Sequence, residues 1–267
     1  MQTDMTVGKP MKMLLNFTIP VFLGNVFQQL YSMADAVIVG KFVGTKGLAA
    51  VGATGTITFL IIGFLMGVTT GVTVLTSQKF GAGRMDEMRK TVGNAAILSA
   101  VIAVVMTAVS MLGMHRLLVF MHTPEDIFDG AYGYIMIICA GIFTQVLYNL
   151  VSSILRALGN SKTPLYFLIL AAGLNIVLDL VFIIFFHWGA PGAAWATVIS
   201  QGVSGVLCLI YMWKAVPELK MKKEDWYFRR NLAAKQIGVG IPMGLQYSIT
   251  AIGTMMVQSA LNMLGSY

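Results

Sequence analysis

The chain has 267 residues, of which 57% are apolar and only 11% charged, with a formal net charge of +7 and a mean hydropathy of +0.78. A soluble domain carries about a quarter charged residues, so the composition excludes a water-soluble enzyme or binding module and places most of the chain in lipid. The positive charge does not point to nucleic acid, because its distribution along the chain is that of a membrane protein, as the loops below make plain.

Seven long apolar runs follow one another, at residues 13–40, 48–77, 91–112, 131–152, 164–186, 191–213 and 236–264. About 20 helical residues cross the hydrocarbon core. Helices satisfy their own backbone groups there, whereas an open strand edge does not. The short alternating segments of an outer-membrane barrel are absent. The expected fold class is therefore an all-α integral membrane protein with seven spans.

Turn residues punctuate the runs. Gly40 and Gly44 close the first span, and Gly81-Ala82-Gly83 follows the second, in which Gly63, Gly67 and Gly71 keep the spacing that lets helices approach closely. Pro20 lies inside the first span, where it removes a backbone hydrogen bond and is expected to kink the helix. Between the third and fourth spans, residues 115–121 read as a short amphipathic turn at the interface. The stretch from Gly159 to Pro164 links the fourth and fifth spans, with Ser161 and Thr163 as capping candidates. Cys139 and Cys208 fall mid-span and read as small buried hydrophobes. His115, His122 and His187 lie in loops with no second ligand at metal spacing.

Placing the N-terminus in the cytoplasm and alternating the loops sorts the basic residues. The cytoplasmic side then holds Lys9, Lys12, Lys79, Arg84, Arg89, Lys90, Arg156 and Lys162, and from residue 214 onward Lys214, Lys220, Lys222, Lys223, Arg229, Arg230 and Lys235. Only Lys41, Lys46 and Arg116 fall outside. This is a strong positive-inside bias, and it assigns an inside N-terminus and an outside Tyr267. The expected setting is the plasma membrane, crossed repeatedly. The run after Lys12 is too long for a signal peptide and stays as a helix.

Residues 214–235 form a basic segment with Pro217, Trp226, Tyr227 and Phe228. After it, Ile241-Pro242 and Leu245 fall onto Ile19-Pro20 and Leu23 at one offset, in a first helix after a basic linker. This suggests an internal repeat. The expected domains are a six-helix lobe over 1–213, a cytoplasmic linker over 214–235 and the first helix of a second lobe over 236–267. On this reading the sequence is a truncated chain or a fragment.

Within the seven spans there is no Lys, Arg, His or Glu, and the two Asp are Asp35 and Asp179. A central Asp opposes insertion by about 2.5–3.5 kcal/mol, which makes each a functional candidate. By the helical rise, Asp35 and Asp179 lie roughly 8–10 Å below the same end of their helices. Asn175 shares the face of Asp179 one turn away, and Thr197, entering from the opposite direction, reaches the same level. If the three helices are neighbours, two carboxylates, a carboxamide and a hydroxyl converge. Oxygen ligands suit a hard cation such as sodium. Two carboxylates without a basic partner suit a proton equally. A structural reading, a polar clamp between helices, competes with both. No H-E-x-x-H, G-x-S-x-G or Walker A pattern is present, so the chain is not expected to be an enzyme or an ATP-driven pump.

Residues 19–52 (IPVFLGNVFQQLYSMADAVIVGKFVGTKGLAAVG), 67–83 (GVTTGVTVLTSQKFGAG), 156–179 (RALGNSKTPLYFLILAAGLNIVLD) and 192–197 (GAAWAT) together resemble the multidrug and toxic compound extrusion (MATE) family. The resemblance implies two six-helix lobes rocking between inward- and outward-open forms. It implies export of lipophilic, often cationic compounds against sodium ions or protons, with membrane lipid as the surroundings and no nucleic acid. It also implies that Asp35, Asn175, Asp179 and Thr197 bind the cation, that Pro20 is where the first helix bends, and that no cofactor is needed beyond a bound sodium ion. Five helices of a second lobe are missing by comparison, which puts transport by this polypeptide alone in doubt. A lipid-linked precursor flippase would need a cluster of buried basic residues, and a retinal protein a lysine in its last helix; the spans offer neither. A non-transporting remnant is the remaining alternative.

Overall fold

The computed structural model describes residues 10–121 and 123–263; Lys9, His122 and Tyr267 lie outside them, as do the other terminal residues. The described residues form helices α1 (Pro10–Phe42), α2 (Thr45–Gly81), α3 (Met85–Phe120), α4 (Glu125–Ala140), α5 (Ile142–Ala157), α6 (Lys162–Leu180), α7 (Gly189–Ala215) and α8 (Arg230–Met263). A π-helical turn, Val181–Phe185, continues α6, and two 3-10 turns, Pro217–Leu219 and Lys223–Trp226, bridge α7 and α8. No strand occurs among the described residues.

Five helices (α1, α2, α3, α6 with its π turn, and α7) are long and apolar enough to cross a membrane. The run at 131–152 is two helices, α4 and α5, bent by 46°, which make a sixth span if taken together. The bend sits at Gly141, where a Cβ would collide with the side chain of Val198 on α7. The seventh expected span, α8, has the length but falls short in hydropathy. Its sequence is diluted by Gly238, Gly240, Gly244, Gln236 and Gln246.

Those small residues have a packing purpose. A Cβ on Gly67 would lie 2.5 Å from the Met243 carbonyl oxygen, and one on Gly71 2.5 Å from the Gly240 Cα, so α2 and α8 meet backbone to backbone. Close approach of this kind drives helix association where lipid removes the hydrophobic incentive. Fully buried Gln236 pins the start of the seam. It donates to the carbonyls of Val72 (3.0 Å) and Thr91 (2.9 Å) and accepts from Asn94 Nδ2 at 2.8 Å. The Asn94 Oδ1 in turn accepts from the Arg229 backbone N–H at 3.0 Å. The basic segment is thus held against α3, where buried Asp225 pairs with Arg89 at 3.6 Å.

Two apolar cores stack along the bundle. One gathers Val39, Ile57, Leu65, Leu118, Ile135 and Ala194 near the 43–44 and 121–124 loops. The other gathers Val72, Met88, Leu98, Ile154, Leu155 and Cys208 near the basic loops. Cys139 and Cys208 are both buried and unbridged. Exposed Leu, Val and Phe side chains on α1, α3 and α6 form the outer surface.

Three local expectations are corrected. Residues 115–120 are the last turns of α3, not a separate interfacial turn. His115 is therefore helical and not in a loop, and it packs edge-on against Phe128 and Tyr132, which ties α3 to α4. Ser161 makes no cap bond to α6; Asn160 does so, accepting from the Thr163 backbone N–H at 3.1 Å and donating to its hydroxyl at 2.9 Å. His187 stays in a connection, at φ 53° between the π turn and α7. Pro20 sits inside α1, which is helical on both sides of it.

Candidate functional site

The helices that carry the four candidate residues are neighbours: α1 packs on α6, α6 on α7, and α1 on α7. Each residue reaches one layer for a local reason. Asp35 stands one turn before Ile38 and Val39, which are buried in the first apolar core. Asn175 and Asp179 lie on the inward face of α6, both with no exposed surface. Thr197 follows Ala193, Ala194 and Ala196, whose small side chains let α7 approach. The π turn begins two residues after Asp179 and turns Ile183 into the core; such turns break the regular ladder and cluster at functional sites.

The structure brings all four together. Asn175 Nδ2 donates to Thr197 Oγ1 at 3.5 Å, and Thr197 Oγ1 donates to Asp35 Oδ2 at 3.5 Å. Both contacts are at the long limit of a hydrogen bond. The Asp35 and Asp179 carboxyl groups contact each other; apart from that contact, Asp35 Oδ1, Asn175 Oδ1 and both carboxylate oxygens of Asp179 are buried and receive no hydrogen bond from the described residues. No Lys, Arg or His pairs with either carboxylate among the described residues. Buried polar atoms are normally satisfied, so acceptors without a donor concentrated in one place leave room for a donor or a cation. The donor set is all oxygen, which fits a hard monovalent cation. No group of three His, Cys, Asp or Glu side chains suited to a transition metal occurs among the described residues.

The model of the family described as MatE matches residues 20–181, an interval that contains three of the four site residues. The chain belongs to the MatE family. It is 32% identical to the probable multidrug resistance protein YpnP of Bacillus subtilis over 99% of its own length and 59% of that protein's. A solved structure described as the outward-facing conformation of a multidrug resistance MATE family transporter superposes with a TM-score of 0.89 at 27% identity, over 97% of this chain and 58% of the other. A transporter from Pyrococcus furiosus of the MOP superfamily, for which a binding pocket of reversed polarity is reported, gives 0.89 at 26%, over 96% and 57%. The chain therefore spans less than two thirds of the length of these relatives.

Two tyrosines complete this part of the MatE chain. Buried Tyr31 and Tyr134 lie within electrostatic reach of both carboxylates, and the Tyr31 hydroxyl faces Thr197. Tyr31 is one helical turn before Asp35, so the shared face was a usable signal. Tyr134 comes from α4, a helix that nothing in the local sequence connects to this layer.

Proposed function

We propose that this chain carries the cation site of a secondary multidrug efflux transporter. The whole protein exchanges lipophilic or cationic compounds for sodium ions or protons by alternating access between two lobes, with the N-terminus in the cytoplasm of the plasma membrane. One observation carries the reading: a fully buried carboxylate, Asp179, lies against a half-buried one, Asp35, with no basic partner among the described residues and with acceptor oxygens that receive no hydrogen bond. Uncompensated negative charge in a membrane interior is costly, and a migrating cation or proton relieves it once per cycle. In this reading the carboxylates of Asp35 and Asp179 hold the cation, the Asn175 carboxamide oxygen and the Thr197 hydroxyl complete its oxygen shell, and Pro20 softens α1 for the bend. The relatives, described as multidrug resistance proteins, support the substrate class. The division into a six-helix lobe, a basic linker and the start of a second lobe belongs to the same proposal.

The test is ethidium efflux from cells expressing this segment together with the remaining length of its relatives. Asp179→Asn is expected to abolish coupled efflux at near-normal expression, and Asp35→Asn to do the same. Full retention of efflux in Asp179→Asn would sink the reading. If Asp35→Asn alone is silent, Asp35 is a peripheral acid and the site reduces to α6 and α7.

A further inference from the structure

At the opposite end of the bundle from the carboxylates, a cavity of about 920 Å³ opens between α1, α2, α5 and α8. That volume suits a drug-sized ligand. Its wall has two characters. Phe17, Val21, Met66, Val74 and Phe80 make an apolar side, and Thr70, Thr73, Ser77, Ser153 and Arg156 a polar one. A smaller cavity of about 40 Å³ adjoins it, sharing Val21, Asn25, Met66 and Arg156, and runs between α1 and the start of α6.

Arg156 is the feature that calls for a ligand. It is half-buried at the end of α5 and lines both cavities. An arginine in the last turn of a helix commonly caps the terminal carbonyls. Here the hydrogen bond made by the guanidinium runs instead to Ser153 Oγ, at 3.3 Å, and uses one of its five N–H groups. Asn149, two turns earlier on α5, also lines the smaller cavity; it is nine-tenths buried and its side chain makes no hydrogen bond among the described residues. Glu218 is the single acidic residue in the lining of the larger cavity. The fork of N–H groups on Arg matches carboxylate and phosphate oxygens, and the apolar wall beside it matches a hydrocarbon body.

We infer that this cavity binds an amphiphile with an anionic head, a phosphate or carboxylate, seated on Arg156 with its tail along Phe17, Val21 and Phe80. The site is distinct from the cation site: from Ser161 to Asp179 along α6 is about 27 Å by the helical rise. It goes beyond cation-coupled efflux and does not depend on that reading. The head can belong to a free lipophilic anion or to an anionic lipid.

The test is calorimetric titration of the 267-residue chain in phosphatidylcholine nanodiscs with octyl phosphate, octanoate and octyltrimethylammonium. Octyl phosphate and octanoate are expected to bind saturably, and the cation of equal chain length not to bind. Arg156→Gln is expected to weaken octyl phosphate binding about tenfold or more, and Arg156→Lys to restore part of it. Repeating the titration in phosphatidylglycerol nanodiscs identifies the source: competition supports a lipid headgroup, and unchanged binding supports a free amphiphile. Equal or tighter binding of the octyl cation by the unmodified chain overturns the inference, whether or not the variants fold. Parent-like binding of octyl phosphate by Arg156→Gln overturns it as well.

Discussion

Thr197 is the residue on which the site's geometry turns, because its hydroxyl stands between the Asn175 carboxamide and the Asp35 carboxylate. Thr197→Val keeps the shape and removes the oxygen. The variant is expected to fold, and its apparent sodium affinity, read by titration calorimetry, to fall about tenfold, since one charge-assisted contact is worth about 1.5–3 kcal/mol. If the site is merely a structural clamp, the same variant loses stability without changing any sodium response. The residue scale was also where the sequence spoke most clearly. Ionisable residues in lipid are expensive, so Asp35 and Asp179 stood out, and helical rise put Asn175 and Thr197 at their depth. Tyr134 was not legible, because its role depends on which face α4 turns to the bundle. Gln236 was not legible either: an amide at the start of an apolar run reads as a boundary, and its three bonds to α2 and α3 exist only in the folded chain.

The α2–α8 seam is the element most exposed to single substitutions. Gly71→Ala places a methyl against the Gly240 backbone, and overpacking of this kind costs about 1–3 kcal/mol. Gly55→Ala, on the same helix with nothing within 4 Å of the added carbon, is the matched control and is expected to be neutral or up to about 1 kcal/mol stabilising. Thermal unfolding in one detergent distinguishes them, and equal behaviour of the two variants would deny the seam its role. The small-residue spacing of α2 was visible in the sequence, but its partner was not, since nothing local says which helix a glycine face meets. Hydropathy likewise found the apolar middles and missed the extensions. It merged α4 and α5 because a bend at Gly141 leaves the apolar run unbroken. It placed residues 115–120 outside a helix because their polarity, not their hydrogen bonding, was what the pattern recorded.

At the scale of the whole molecule, the chain is a lipid-facing shell around two stacked apolar cores, with the Asp35 and Asp179 carboxylates beside one and an arginine-lined cavity beside the other. The basic segment after α7 is tied down by Asp225, Asn94 and Gln236, so it joins α8 to α3 as a strap and not as a free tether. The candidate cation site lies wholly within α1, α6 and α7, and its central claim is therefore testable on this chain alone. The deciding measurement is the thermal stability of the 267-residue chain in detergent at fixed pH, comparing sodium chloride with potassium chloride at equal ionic strength. Sodium at about a hundred times its dissociation constant stabilises by about 2.7 kcal/mol. A sodium-specific rise in Tm is expected, and it is expected to be absent in Asp179→Asn. A folded sample that melts at the same temperature in both salts would contradict sodium binding at this site, and a sodium rise that survives Asp179→Asn would place the ion elsewhere.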